Sequence, residues 1–200
     1  AGSDIDGDTE DNFSGTSVAM SADGQVVVVG DVVGDTGDGS VRVLNYVDGD
    51  WVQSSATIHP SPGVGLFGYS VAISADGTRI AASGNSPEQG TAEPVEIFDL
   101  DGSAWQQTAT VAPGFVVAMS ADGNLIASGN VFVLAGVGEQ SPVLVYALLA
   151  SVSFDAGDGE NAPVDISGDR GSDVTLPTSE PTRTGYTFMG WNTASDLSLI

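Results

Sequence analysis

One tetrapeptide, Ser-Ala-Asp-Gly, occurs three times, at residues 21–24, 74–77 and 120–123, spaced 53 and then 46 residues apart. Each copy sits between apolar runs. Ser17-Val18-Ala19-Met20, Ser70-Val71-Ala72-Ile73 and Val116-Val117-Ala118-Met119 lead in, and residues 26–29, 80–82 and 125–127 lead out. Asp-Gly between two β-type runs signals a hairpin, because the tight turn needs positive φ and glycine takes it without steric cost. A period of this length is that of stacked or radial repeats.

The rest of the first two repeats follows the same plan. In repeat one, strands are expected over 17–22, 25–30, 40–46 and 51–58, with an acidic loop over 31–39. In repeat two, residues 94–100 restate the third strand. Asp101-Gly102 and then Trp105-Gln106-Gln107 restate the turn and the fourth. Short β-rich runs punctuated by Gly and Asp predict an all-β fold, and four strands per repeat is the pattern of a propeller blade. Repeat three departs from it. Residues 143–148 match the third strand, but no Asp-Gly-x-x-Trp-x-Gln follows, so three blade-like antiparallel sheets are expected, at about 13–58, 67–111 and 115–148, with the last short of a strand. Three blades do not close a ring easily, since closed rings hold four or more.

Composition restricts the partners. The 200 residues carry 27 acids against four arginines and no lysine, a net charge of −23. Such a surface repels nucleic acid and anionic membrane. It favours solvation at high salt, divalent cations or basic partners, and a well-solvated acidic surface is the plainer reading. Apolar content of 41% supports a core. No apolar run approaches the 20 or so residues of a membrane-spanning helix, so no membrane insertion is expected. Cysteine is absent, which removes disulfides and thiolate chemistry.

Phe67-Gly68-Tyr69-Ser70-Val71-Ala72-Ile73-Ser74-Ala75-Asp76-Gly77, the Gly/Asp loop before a Val-x-Val strand and the Asp-Gly-x-x-Trp-x-Gln segment together resemble the FG-GAP type of propeller repeat, over residues 1–148. That resemblance implies an extracellular setting and calcium loops between strands, for which Asp31, Asp35 and Asp38 are the matching positions. Repeats two and three offer only Glu88 and Glu93, and Glu139, so such a site is not repeated faithfully. Asp4, Asp6 and Asp8 alternate along a second acidic stretch, which reads as a linker or as oxygen ligands for calcium. Asn12-Phe13-Ser14 is an N-glycosylation sequon, relevant only in a eukaryotic secretory pathway.

Residues 151–200 change character. The segment 181–193, Pro-Thr-Arg-Thr-Gly-Tyr-Thr-Phe-Met-Gly-Trp-Asn-Thr, is similar to the Listeria–Bacteroides repeat, a small β-grasp-like module of bacterial surface proteins. Tyr186, Phe188 and Trp191 are expected to form the core of that small module.

No catalytic constellation is legible. His59 is the single histidine and precedes Pro60 in a linker; no Gly-x-Ser-x-Gly elbow and no Gly-Lys-Ser/Thr phosphate loop occur. Trp51 and Trp105 read as packing at the blade edges. The sequence points to a non-enzymatic extracellular or cell-surface protein, structural or adhesive, self-associating through open strand edges as the subunit of a filament and meeting cell-surface or matrix ligands. A calcium-dependent or lectin-like binding module and an appendage of a larger secreted protein are the alternatives.

Overall fold

The computed structural model describes residues 4–7, 13–34, 37–86, 91–111, 113–129, 143–169 and 175–190, and these contain strands, turns and connectors but no helix. Two compact units divide the chain, Ala1–Leu148 and Leu149–Ile200.

Among the described residues, the first unit holds three antiparallel sheets of three or four strands and one short hairpin. Sheet one is β1 (Ser14–Met20), β2 (Val26–Asp31), β3 (Ser40–Val47) and β4 (Asp50–Gln53), paired in chain order. Sheet two begins with β5 (Ser70–Ile73) and β6 (Arg79–Ser83). A two-residue hairpin, β7 (Asn85–Ser86) with β8 (Thr91–Ala92), then interrupts the chain before β9 (Val95–Asp101) and β10 (Ala104–Val111) complete the sheet. Sheet three is β11 (Val116–Met119), β12 (Leu125–Gly129) and β13 (Val143–Ala147), three strands among the described residues. The registers are equivalent. Val28 faces Ala19 and Val43, Ala81 faces Ala72 and Ile97, and Ala127 faces Ala118 and Val145.

The fourth strand of sheet one is shorter than its sequence promises. It ends at Gln53, and Ile58 alone returns to the sheet, exchanging two backbone hydrogen bonds of 2.9 Å with Val41. Gln53 holds the intervening loop by donating from Nε2 to the Ser55 carbonyl at 3.0 Å and to the Thr57 hydroxyl at 3.2 Å.

The sheets pack face to face, which explains why their central strands are apolar on both sides. Val28, Val43, Phe67, Val71, Ile80 and Phe98 share one buried cluster between sheets one and two. Ala72, Ala81, Val95, Ile97 and Ile126 form the next, between sheets two and three. The far face of sheet one, Val27, Val29 and Leu44, is covered by Ile5 and Trp51. Sheets one and two touch backbone to backbone at Gly30, where an added Cβ would collide with the Gly68 carbonyl.

The second unit carries β14 (Leu149–Val152) paired with β15 (Ile166–Asp169) and a bridge between Glu160 and Thr182. Tyr186 does not enter a core: it is exposed, with the Arg183 guanidinium 4.2 Å from its ring centre, and Arg183 also pairs with Asp158 at 3.2 Å. A cation resting on the ring face stabilises this arrangement with the ring still in water. Phe188 is half-buried, and Trp191 lies outside the described residues.

The turn glycines Gly24, Gly77 and Gly123 all have φ between +71° and +73°. Alanine in that conformation costs about 1–2 kcal/mol. At Gly24 the new Cβ meets only the Met20 sulfur at 3.8 Å, whereas at Gly77 it meets Val26 of sheet one at 2.9 Å. Gly24→Ala is therefore expected to lower unfolding stability by about that strain alone, and Gly77→Ala by clearly more. Urea titration of the two variants checks this, and equal losses would contradict the seating of the second turn on sheet one.

Candidate functional site

Each Ser-Ala-Asp-Gly turn builds the same small network. The serine hydroxyl donates to the aspartate at 2.6 Å in Ser21–Asp23 and Ser74–Asp76 and at 2.5 Å in Ser120–Asp122. The same hydroxyl accepts from the amide that opens the next strand, at Val26, Arg79 and Leu125. The aspartate in turn accepts the amides of Gln25, Thr78 and Asn124. At Asp23 the Ser21 hydroxyl and then the Gln25 amide hold the carboxyl below its ordinary value, and at Asp122 Ser120 and Asn124 do the same. Burial pushes Asp76 up, but the Ser74 hydroxyl with the amide and hydroxyl of Thr78 outweighs it, and the net shift is again downward.

The turns are also linked to one another. The Ala22 amide donates to the Ala75 carbonyl at 3.0 Å, and the Ala75 amide donates to the Ala121 carbonyl at 2.8 Å. A second rung runs beside the first: the Val71 amide donates to the Ser17 hydroxyl at 2.9 Å and the Val117 amide to the Ser70 hydroxyl at 3.1 Å.

Two arginines are buried in the same scaffold. Arg79 donates from Nε to Asp99 at 2.6 Å and from Nη1 to the Gly123 carbonyl of the third turn at 2.8 Å, and Thr108 completes Asp99 at 2.5 Å. Arg42 donates from Nε to Asp31 at 2.8 Å and from Nη2 to the Ser14 hydroxyl at 2.7 Å. Glu96, at the repeat position of Arg42, is buried too, and accepts the Ser61 amide at 3.1 Å. These groups escaped the sequence reading, although the scarcity of arginine and the placing of two of the four on central strands is a usable signal.

The residues singled out for calcium are not brought together. Asp31 is buried at the end of β2, with one oxygen on Arg42 and the other, Oδ1, without a partner among the described residues. Asp38 is exposed, and its carbonyl accepts the Phe67 amide. Asp4 and Asp6 are exposed on either side of Ile5. Asp8, Asn12, Asp35, Glu88 and Glu139 lie outside the described residues. Among the described residues, no three acidic or histidine side chains converge on a point that could hold a metal. His59 is exposed in the connector after sheet one.

A cleft of about 260 Å³ lies between sheets one and two, lined by Val26, Asn45, Ser54, Thr78, Leu100 and Trp105 among others. Trp105 packs on the core beneath it, and its indole Nε1–H is buried with no partner among the described residues. Trp51 packs on the opposite face of sheet one beside Tyr46, ring centres 5.1 Å apart. The cleft is smaller than the roughly 300–1,000 Å³ of ordinary ligand pockets.

Residues 151–199 match the Listeria-Bacteroides repeat domain. No curated protein matches the chain. Among solved structures, it is similar to a proposed 6-phosphogluconolactonase from Bacteroides uniformis, at 12% identity and a TM-score of 0.47 over 74% of this chain. The chain spans 38% of that protein's length.

The turn network makes a pH-dependent prediction. A carboxyl whose folded value is lowered contributes stability above the unfolded value of about 3.9, and the contribution fades as pH falls through the folded value. Asp76→Ala is therefore expected to be less stable than wild type at pH 7, with the gap narrowing between about pH 5 and pH 2. Ser74→Ala, which removes a buried hydroxyl with two bonds, is expected to cost about 1–2 kcal/mol. Thermal melts across that pH range read both, and a gap that stays constant with pH would contradict the role given to Asp76.

Proposed function

We propose that this chain is an extracellular surface protein with a structural or adhesive role, built from FG-GAP-type propeller repeats over 1–148 and a Listeria–Bacteroides module after them. The observation that carries the reading is the family match at 151–199, a module of bacterial surface and secreted proteins. Three stacked sheets with equivalent turns support the repeat assignment. A net charge of −23 suits a protein that must stay dissolved and unaggregated outside the cell.

In this reading the chain works by contact rather than catalysis. With one histidine, exposed in a connector, and no cysteine, the chain has little provision for imidazole or thiolate chemistry. The partners are further copies of the chain, which makes it a subunit of a surface filament or layer, and ligands of cell surface or matrix. Antibody labelling of intact source cells and of their medium tests the location. The protein is expected on the cell exterior or in the medium, and confinement to the soluble cell interior would overturn the reading.

Calcium binding is the second reading, favoured by the buried Asp31 Oδ1 that no described residue satisfies. A cation there would share Asp31 with Arg42 and draw further oxygens from the loop that follows. Melting with calcium and with chelator is the measurement. A rise of several degrees with calcium, lost in Asp31→Asn, is the expected result under this reading, and identical transitions would remove calcium.

A further inference from the structure

We propose that the exposed face of sheet three docks onto the exposed end of sheet one of a second copy, joining chains head to tail by the contact that already joins sheets one, two and three. This rests on the self-associating reading above and moves the contact from the strand edges to the sheet faces.

The repeat register shows what each face is shaped to meet. Val43 of sheet one and Ile97 of sheet two are 2% and 0% exposed because the following sheet covers them; Val145, their equivalent in sheet three, is 64% exposed. Val143 and Leu125 on the same face are exposed as well. At the position of Leu125, sheets one and two carry Val26 and Arg79, and each of these receives the turn glycine of the following sheet, Gly77 and Gly123. Sheet three thus presents the seat of a turn that this chain does not fill among its described residues.

The opposite end of the stack carries the complement. Val71 is 6% exposed against sheet one, whereas Val18, its equivalent, is 65% exposed, and Met20 beside it is exposed too. The entry to sheet one has the same backbone shape as the entry to sheet two. Phe13 and Gly15 have φ of +54° and +82°, against +44° and +85° at Leu66 and Gly68. Gly68 is where sheet two touches Gly30 of sheet one, so sheet one enters in a conformation already fitted to such a contact. Lower on that face Ile5 covers Val27, Val29 and Leu44, which confines the docking to the region near the turn.

The backbone ladder continues in the same sense. No described residue accepts from the Ala121 amide or donates to the Ala22 carbonyl, the two groups that would form the next rung between copies. The side-chain rung is weaker, because Val116 stands where Ser17 and Ser70 offer a hydroxyl. The two ends lie on different surfaces, so the contact is heterologous and grows into a ring or a filament.

Sedimentation velocity on the full chain tests this. Wild type is expected to form species larger than one chain as concentration rises. Val145→Asp and Val18→Asp each disable one end at an exposed position and are expected to be monomeric with unchanged circular dichroism. An equimolar mixture of the two retains one good end from each and is expected to give a two-chain complex and nothing larger. Val116→Ser restores the missing hydroxyl and is expected to tighten association by about three- to tenfold. A wild type that stays monomeric to hundreds of micromolar overturns the interface, and leaves the surface location to be judged by the labelling experiment. Association that survives both aspartate variants, or a mixture that stays monomeric, overturns it too.

Discussion

The bond from the amide of one Ser-Ala-Asp-Gly turn to the carbonyl of the next fixes the stack. Ala22 reaches Ala75 and Ala75 reaches Ala121, so the three hairpins are held in one register. Within each turn the serine hydroxyl and the aspartate carboxylate satisfy the local amides. That leaves the alanine amide at the tip to point outward to its neighbour. The tetrapeptide repeats as a unit because each of its residues has a separate duty: hydroxyl, outward amide, carboxylate and positive φ.

Apolar packing then supplies the stabilisation and charge supplies the alignment. Small and β-branched residues on the central strands let neighbouring sheets approach closely, down to the Gly30–Gly68 contact. Arg79 ties its own sheet, through Asp99, to the third turn, through the Gly123 carbonyl. Losing one partner of such a buried pair leaves an uncompensated charge, a cost of about 3–5 kcal/mol. Arg42 and Arg79 are used inside the scaffold in this way, each on a buried aspartate.

The all-β fold and its antiparallel hairpins were legible, because Asp-Gly between apolar runs is a local signal with a local cause. Burial of charge was not. Asp31 reads as one of several loop acids, and only its distance to Arg42, eleven residues away, shows that it closes an ion pair. Glu96 looks like an ordinary outward strand residue until a connector from sheet one supplies the Ser61 amide. The end of β4 at Gln53 escaped because residues 54–57 carry no proline or glycine to announce the loop. Tyr186 followed aromatic preference into a core that the described part of its unit does not build. For the two buried acids the deciding partner is remote in sequence.

Amide hydrogen exchange on the dilute, monomeric chain addresses the turn ladder most directly. Tip amides of tight turns ordinarily exchange quickly, having no partner of their own. If the ladder holds the stack, the Ala22 and Ala75 amides exchange as slowly as that of Val28 in the central strand, while Ala121, the last rung, exchanges orders of magnitude faster. Ala22 and Ala75 exchanging as fast as Ala121 would show that the three sheets are not joined through their turns.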